Sequence, residues 1–104
     1  MSNEINAIPT VETVSHHVYF EGKVQSLGME TATGKATLGV MKKGNYTFST
    51  STAEKMLVIE GSMEVAISGT DFKKYQAQDS FDVEAGSSFE VKCDADVAYI
   101  CYYA

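Results

Sequence analysis

The chain has 104 residues with 44% hydrophobic and 21% charged, one proline and eight glycines, which suits one folded domain and excludes disorder or a collagen-like repeat. Its 14 acidic residues outnumber eight basic ones, all lysine, for a net charge of −6. That balance leaves no basic face to displace counterions from DNA or long RNA, and no apolar run approaches the ~20 residues of a membrane helix.

Residues 1–17 have no basic start and no apolar run, so they do not read as a signal peptide. They are expected to form a flexible arm or an added edge strand, leaving 18–104 as the domain. From there period-2 patterning dominates and no helix is predicted. Residues 18–25 are rich in aromatic and β-branched types and read as the first strand. Ala36, Leu38 and Val40 share one face of the next, over 35–41. Gly44 opens a third, in which Tyr46, Phe48 and Thr50 oppose Thr47 and Ser49. The polar stretch 50–55 predicts a loop at one barrel mouth. Residues 56–60 form a continuous apolar strand ended by Gly61, and Met63, Val65 and Ile67 alternate after it. Weaker strands are expected over 72–76 and at Phe81 and Val83. Phe89, Val91 and Cys93 alternate again, and the last strand sets Val97, Tyr99, Cys101 and Tyr103 against Ala98, Ile100 and Tyr102. Turn pairs such as Thr33-Gly34, Lys43-Gly44 and Ala85-Gly86 separate the runs. Eight or so short strands with glycine turns predict an all-β sandwich or barrel.

Two cysteines, Cys93 and Cys101, are too few for a disulfide framework. Both sit in apolar alternations, so buried free thiols and a reducing cytoplasm are expected. His16 and His17 are adjacent, and neighbours on a strand point to opposite faces, so they do not converge on one metal ion. Lys23, Lys35, Lys42 and Lys43 fall in the lysine-rich middle of the chain, where a small anion has its best chance of a local cluster.

Glu54 followed by Gly61, then Glu84-Ala85-Gly86 before Phe89, resembles the two-motif layout of a cupin, a small jelly-roll barrel. Metal-binding cupins place histidines where Thr50, Thr52 and Phe89 stand here. Threonine hydroxyls do not replace imidazole ligands, so no metal cofactor is expected. The segments Tyr19-Phe20-Glu21-Gly22-Lys23-Val24, Gly39-Val40-Met41, Gly44 to Thr50, Met56 to Gly61 and Cys101-Tyr102-Tyr103 together resemble the small metal-free cupins of the pyrimidine/purine nucleoside phosphorylase family. The resemblance implies reversible phosphorolysis: a nucleoside and inorganic phosphate give a free base and ribose 1-phosphate. The competing expectations are a non-catalytic cupin that binds a small metabolite and a metal-dependent cupin, the latter opposed by the missing histidines.

Phosphorolysis needs an anion beside the sugar, positioned partners and an eased leaving base. Arginine, the favoured phosphate clamp, does not occur in this chain. Lys23 is therefore expected to hold phosphate, with Thr47, Ser49 and Thr50 as hydroxyl donors. Glu54 and Glu60 are the candidate catalytic carboxylates, either as ribose ligands or as an acid for the leaving base. Tyr19, Tyr46, Phe48 and Tyr103 could stack on a base, since every base has a π-face. A homodimer is expected, because the core is small and the N-terminal arm and the run Tyr99–Tyr103 offer surface to cover.

Overall fold

A computed structural model describes residues 13–104. Ten strands follow one another: β1 (His16–Tyr19), β2 (Val24–Thr31), β3 (Gly34–Met41), β4 (Gly44–Ser49), β5 (Glu54–Glu60), β6 (Ser62–Ile67), β7 (Lys73–Gln76), β8 (Ser80–Val83), β9 (Ser88–Cys93) and β10 (Val97–Tyr103). They form two antiparallel sheets, one in the order β1-β2-β3-β10-β5-β8 and one in the order β4-β9-β6-β7. The sheets face each other as a jelly-roll sandwich and do not close into a continuous barrel. Among the described residues there is no α-helix. Residues 1–12 of the expected N-terminal arm lie outside the described residues, and β1 forms the edge of the larger sheet.

The continuous strand expected over 18–25 is instead a hairpin. Phe20 and Glu21 adopt left-handed backbone at φ 52° and 58°, and Gly22 follows at 93°. Left-handed backbone strains a residue that carries a Cβ, and Gly22 ends the run without that strain. The reversal lets β2 return against β1 and turns the Phe20 ring onto Tyr46 and Phe48 of the other sheet, at 5.0 and 5.5 Å between centroids. On the opposite flank Phe81 meets Tyr75 at 4.7 Å and Phe89 at 5.9 Å. Two aromatic seams therefore bridge the edges that backbone pairing leaves open.

Alternation sends one side of each strand inward. The core comprises Val24 and Met41 of the large sheet, Met63, Val65 and Val91 of the small one, and the aromatics between them. Along the inner face of the large sheet, register builds rows across the strands. His17, Ser26, Gly39, Tyr99 and Val58 make one row, and Gly28, Thr37, Cys101, Met56 and Phe81 the next. Tyr103 and Glu54 pair in the row beyond. The other end of the same face, at Val24, Met41 and Val97, is apolar and fully packed. The inner face thus grades from core to polar site along the strands.

Tight crossings need glycine at particular places. A Cβ at Gly61, where φ is +87°, would lie 2.7 Å from the Asp96 carbonyl oxygen. Gly86 is also left-handed, at +71°, but has open space around it. We expect Gly86→Ala to cost about 1–2 kcal/mol from backbone strain alone. Gly61→Ala should add an overpacking cost of about 1–3 kcal/mol. Urea unfolding of the two variants measures the difference, and equal losses would show that the Asp96 contact is not tight.

Candidate active site

The polar rows enclose a cavity of about 130 Å³ between the sheets. Its apolar side is formed by Met41, Met56, Phe48 and Phe89. Phe48 and Phe89 are register partners on β4 and β9, and their rings stack at 5.3 Å. Its polar side carries Ser26, Thr37, Tyr99, Cys101, Glu54 and Tyr103, with Tyr19 and Ser49 at the rim. A wider vestibule of about 780 Å³ adjoins it, sharing Tyr19, Thr37 and Tyr103 as common walls.

Hydrogen bonds organise this polar side. The Cys101 thiol donates to Glu54 Oε1 at 3.3 Å. The Thr37 and Tyr103 hydroxyls share a hydrogen bond of 3.2 Å. Burial, opposed only by the Cys101 hydrogen bond, raises the Glu54 pKa, so its carboxyl holds a proton more readily than an exposed one. Burial also pushes the Cys101 thiol up to about 12, with the Glu54 charge adding to the effect, so the sulfur stays protonated and remains a donor. Tyr103 is likewise pushed up to about 12, first by burial, and Tyr99 is raised by burial. The cavity therefore presents neutral hydroxyls, a thiol and one carboxyl.

Two of these groups lack partners among the described residues. Tyr99 is 6% exposed and Ser26 5%, and neither side-chain hydroxyl makes a hydrogen bond there. Buried hydroxyls without partners are costly, and a ligand or water in the cavity would satisfy them. Gly39 makes the Tyr99 position possible: a Cβ there would run into the phenol ring. Register places Ser26 and Tyr99 on either side of Gly39, so the missing side chain leaves a trough between them.

The structure brings together Tyr19, Phe48, Ser49, Glu54 and Tyr103 of the residues expected from sequence. It separates the others. Lys23 is exposed and lines a hollow on the outer face of the large sheet with Gln25, Leu38 and Val40. Tyr46 is buried in the core and donates its phenol hydrogen to the Lys42 carbonyl at 2.7 Å. Thr47 lies on the exposed face of β4, because Tyr46 and Phe48 take the inward positions. Thr50 is buried, but its hydroxyl is committed to the Glu84–Ser87 turn: it donates to the Glu84 carbonyl at 2.7 Å and accepts from the Ser87 N–H at 3.0 Å. Glu60 is exposed at the far end of β5, about 20 Å from Glu54 at strand rise. Sequence reasoning missed Ser26, Thr37, Tyr99 and Cys101 as site residues. Period 2 put Tyr99, Cys101 and Tyr103 on one face, but nothing in their spacing marked that end of the face as polar.

The donor set does not fit the metal of histidine-bearing cupins. The cavity offers one carboxyl and one thiol with no imidazole, and among the described residues no three His, Cys, Asp or Glu side chains gather.

A family model described as pyrimidine/purine nucleoside phosphorylase matches residues 14–103. A protein of that name from Erwinia tasmaniensis is 47% identical over 87 residues, spanning 82% of this chain and 91% of the relative. Among solved structures, a protein of unknown function from Vibrio parahaemolyticus superposes with a TM-score of 0.85 at 38% identity, covering 89% of this chain and all of that one (100%). An RmlC-like cupin from Shewanella frigidimarina shares the fold at a TM-score of 0.63 and 20% identity, over 85% of this chain and 89% of its own. The jelly-roll sandwich is thus a cupin fold.

The raised Glu54 pKa has a consequence for stability. The neutral acid is the form the fold favours, so its contribution is complete below the unfolded carboxyl pKa and is lost as pH rises through the raised folded value. Glutamine mimics the neutral acid and can still accept from Cys101. Glu54→Gln should therefore gain on the wild type as pH rises, with a Tm difference more positive at pH 8 than at pH 4. A difference that does not change with pH would show that Glu54 is not held neutral.

Proposed function

Because the chain belongs to the pyrimidine/purine nucleoside phosphorylase family, we propose that it is a pentosyltransferase that cleaves purine and pyrimidine nucleosides with inorganic phosphate, reversibly, to free base and ribose 1-phosphate. In this reading the base enters the inner cavity against the Phe48–Phe89 stack. The ribose lies at the neck, beside Tyr19, Ser49 and Tyr103, and phosphate approaches from the vestibule. A phosphate oxygen bonds to the anomeric carbon as the C–N bond breaks. The bond's electron pair goes to the base nitrogen, which takes the Glu54 proton. The phosphate's own proton then restores Glu54, leaving ribose 1-phosphate as the dianion. Positive charge develops on the sugar in the transition state, as in glycoside cleavage.

The observation that carries this reading is Glu54: a half-buried carboxyl with a raised pKa, held by a thiol donor, at the wall between the aromatic pocket and the neck. A raised pKa is the direction that suits a proton donor to the leaving base. The unpartnered Tyr99 and Ser26 hydroxyls also favour a second reading, a non-catalytic binder, since any small polar metabolite would satisfy them. Incubation with uridine and inosine, with and without phosphate, separates the two by free base released. Base release only with phosphate is expected; release at equal rates without it would mean hydrolysis, and none would leave the binder. In the active case Glu54→Gln should lower kcat about 10²-fold or more and abolish the alkaline fall of kcat/KM.

We also propose that the chain works as a homodimer in the reducing cytoplasm, which suits its two free, buried thiols. The apolar surface that would pair differs from the one expected. Tyr99 and Tyr103 face the cavity, and the exposed apolar side is aliphatic. Leu27, Leu38, Ile100 and Leu57 are consecutive register partners across β2, β3, β10 and β5 on the outer face. Leu27 is 48% exposed, Leu38 44% and the neighbouring Val40 51%. In this reading the contiguous patch is the dimer interface, and a twofold axis through it would bury the row against its own copy. Light scattering should give a dimer mass for the wild type and a monomer mass for Leu38→Glu, with the fold kept by circular dichroism. A monomeric wild type at micromolar concentration would reject the dimer.

A further inference from the structure

In the phosphorolysis reading phosphate is held where the vestibule meets the cavity, and the chain has no arginine to hold it. Among the described residues Lys35 is the one lysine that lines either space. Lys23 and Lys42 belong to the outer hollow, and Lys42 is further tied to Asp96 at 3.0 Å, at the opposite end of the sheet. Lys35 takes its place from strand parity: Lys35, Thr37, Gly39 and Met41 alternate toward the inner face of β3. Tyr102 pairs with Ala36, so Tyr103 sits at the level of Lys35, and Tyr103 pairs on its other side with Glu54. Lys35 and Glu54 are thus two strand spacings apart, about 10 Å, with the Tyr103 phenol between them.

Resting on the phosphorolysis reading, we propose that Lys35 is the cation that holds inorganic phosphate, positioned across Tyr103 from Glu54, with the Thr37 and Tyr103 hydroxyls as neighbouring donors. The span between cation and acid suits the sugar that must lie between them, since attack and departure occur on opposite sides of the anomeric carbon. Two carboxyls face this anion. Glu54 serves as the proton donor in that reading, and burial favours its protonated form. Glu30 is the register partner of Lys35 on β2, lines the same vestibule and makes no salt bridge with it among the described residues. Its carboxylate competes with phosphate for the ammonium. His17 also borders the vestibule, stacked on Tyr19 at 6.4 Å, and is the alternative phosphate ligand there.

The test varies inorganic phosphate at saturating uridine and, separately, measures thermal unfolding in phosphate against chloride at equal ionic strength without nucleoside. Lys35→Ala should raise the phosphate KM about ten- to hundred-fold, the loss of one charged hydrogen bond, with the uridine KM little changed. Lys35→Arg should recover most of it, Glu30→Gln should lower the phosphate KM, and Lys23→Ala should match the wild type. Phosphate should raise the wild-type Tm and not that of Lys35→Ala. An unchanged phosphate KM in folded Lys35→Ala, or a matching rise in Lys23→Ala or His17→Ala alone, would overturn the assignment. If no variant or wild type cleaves uridine, the function reading fails by itself. The Tm arm then decides: a phosphate shift lost in Lys35→Ala keeps the anion site, and no wild-type shift removes it.

Discussion

Strand β10 sits between β3 and β5, and its double pairing determines the whole polar cavity. Tyr99, Cys101 and Tyr103 face inward as a set because side chains alternate with period 2. A slip of one residue would send all three to the outer face and bring Ala98, Ile100 and Tyr102 inside. The glycine at position 39 depends on the same register, since it lies directly opposite Tyr99 and leaves the room its ring occupies. The thiol that donates to Glu54 and the phenol hydrogen-bonded to Thr37 sit on this one strand. Site geometry is therefore a property of a central, fully paired strand, the part of a sheet least able to move.

This dependence explains what could be read from the sequence. The strands were legible because short alternating or continuous apolar runs recur from Ala36 onward, and glycine turns punctuate them. The exception lies at residues 20–22, where Phe20 takes a left-handed backbone that its type disfavours, for the sake of a ring contact with the other sheet. Glu54 was legible through its cupin-like spacing to Gly61, and Tyr103 as an aromatic on the same face of the last strand as Tyr99 and Cys101. Thr50 was not, since a hydroxyl near the mouth looks the same in sequence whether it meets substrate or clamps a turn. Lys23 drew attention by its place in a family-like segment, and its side of the sheet depended on a hairpin that the segment's apolar character concealed. The lysine on the vestibule side, Lys35, was marked only as one of four lysines in the basic middle of the chain, and nothing in its alternating strand set it above Lys23, Lys42 or Lys43.

The absence of arginine fits the division of the site into a wet outer part and a dry inner part. An ammonium is a compact, strongly hydrated charge, and taking it fully out of water is expensive unless it is paired. At the mouth Lys35 keeps its water until an anion replaces it. Deeper in, a fixed charge would need a partner that the cavity does not hold. The inner wall instead uses groups kept neutral by burial: a thiol and two phenols with raised pKa values, and a carboxyl biased toward its acid form. In a low-dielectric site such neutral dipoles hydrogen-bond strongly without the desolvation cost of ions.

Breadth of substrate follows from the same wall, if the site works as proposed. The groups that can read polarity lie along the large sheet: Thr37 and Tyr103 toward the vestibule, where the sugar and phosphate would be held, and Ser26 and Tyr99 one row deeper. The small sheet contributes Phe48 and Phe89, two stacked rings with no donor or acceptor. A site built to hydrogen-bond a particular edge rejects analogues that lack it, because its own buried groups are left unpaired. A pair of phenyl faces leaves nothing unpaired whichever base lies against it. Discrimination would then come from the depth of the slot alone, so a substitution that narrows the Phe48–Phe89 pocket should exclude the two-ring bases before the one-ring bases, while a change at Tyr103 or Thr37 should affect both alike.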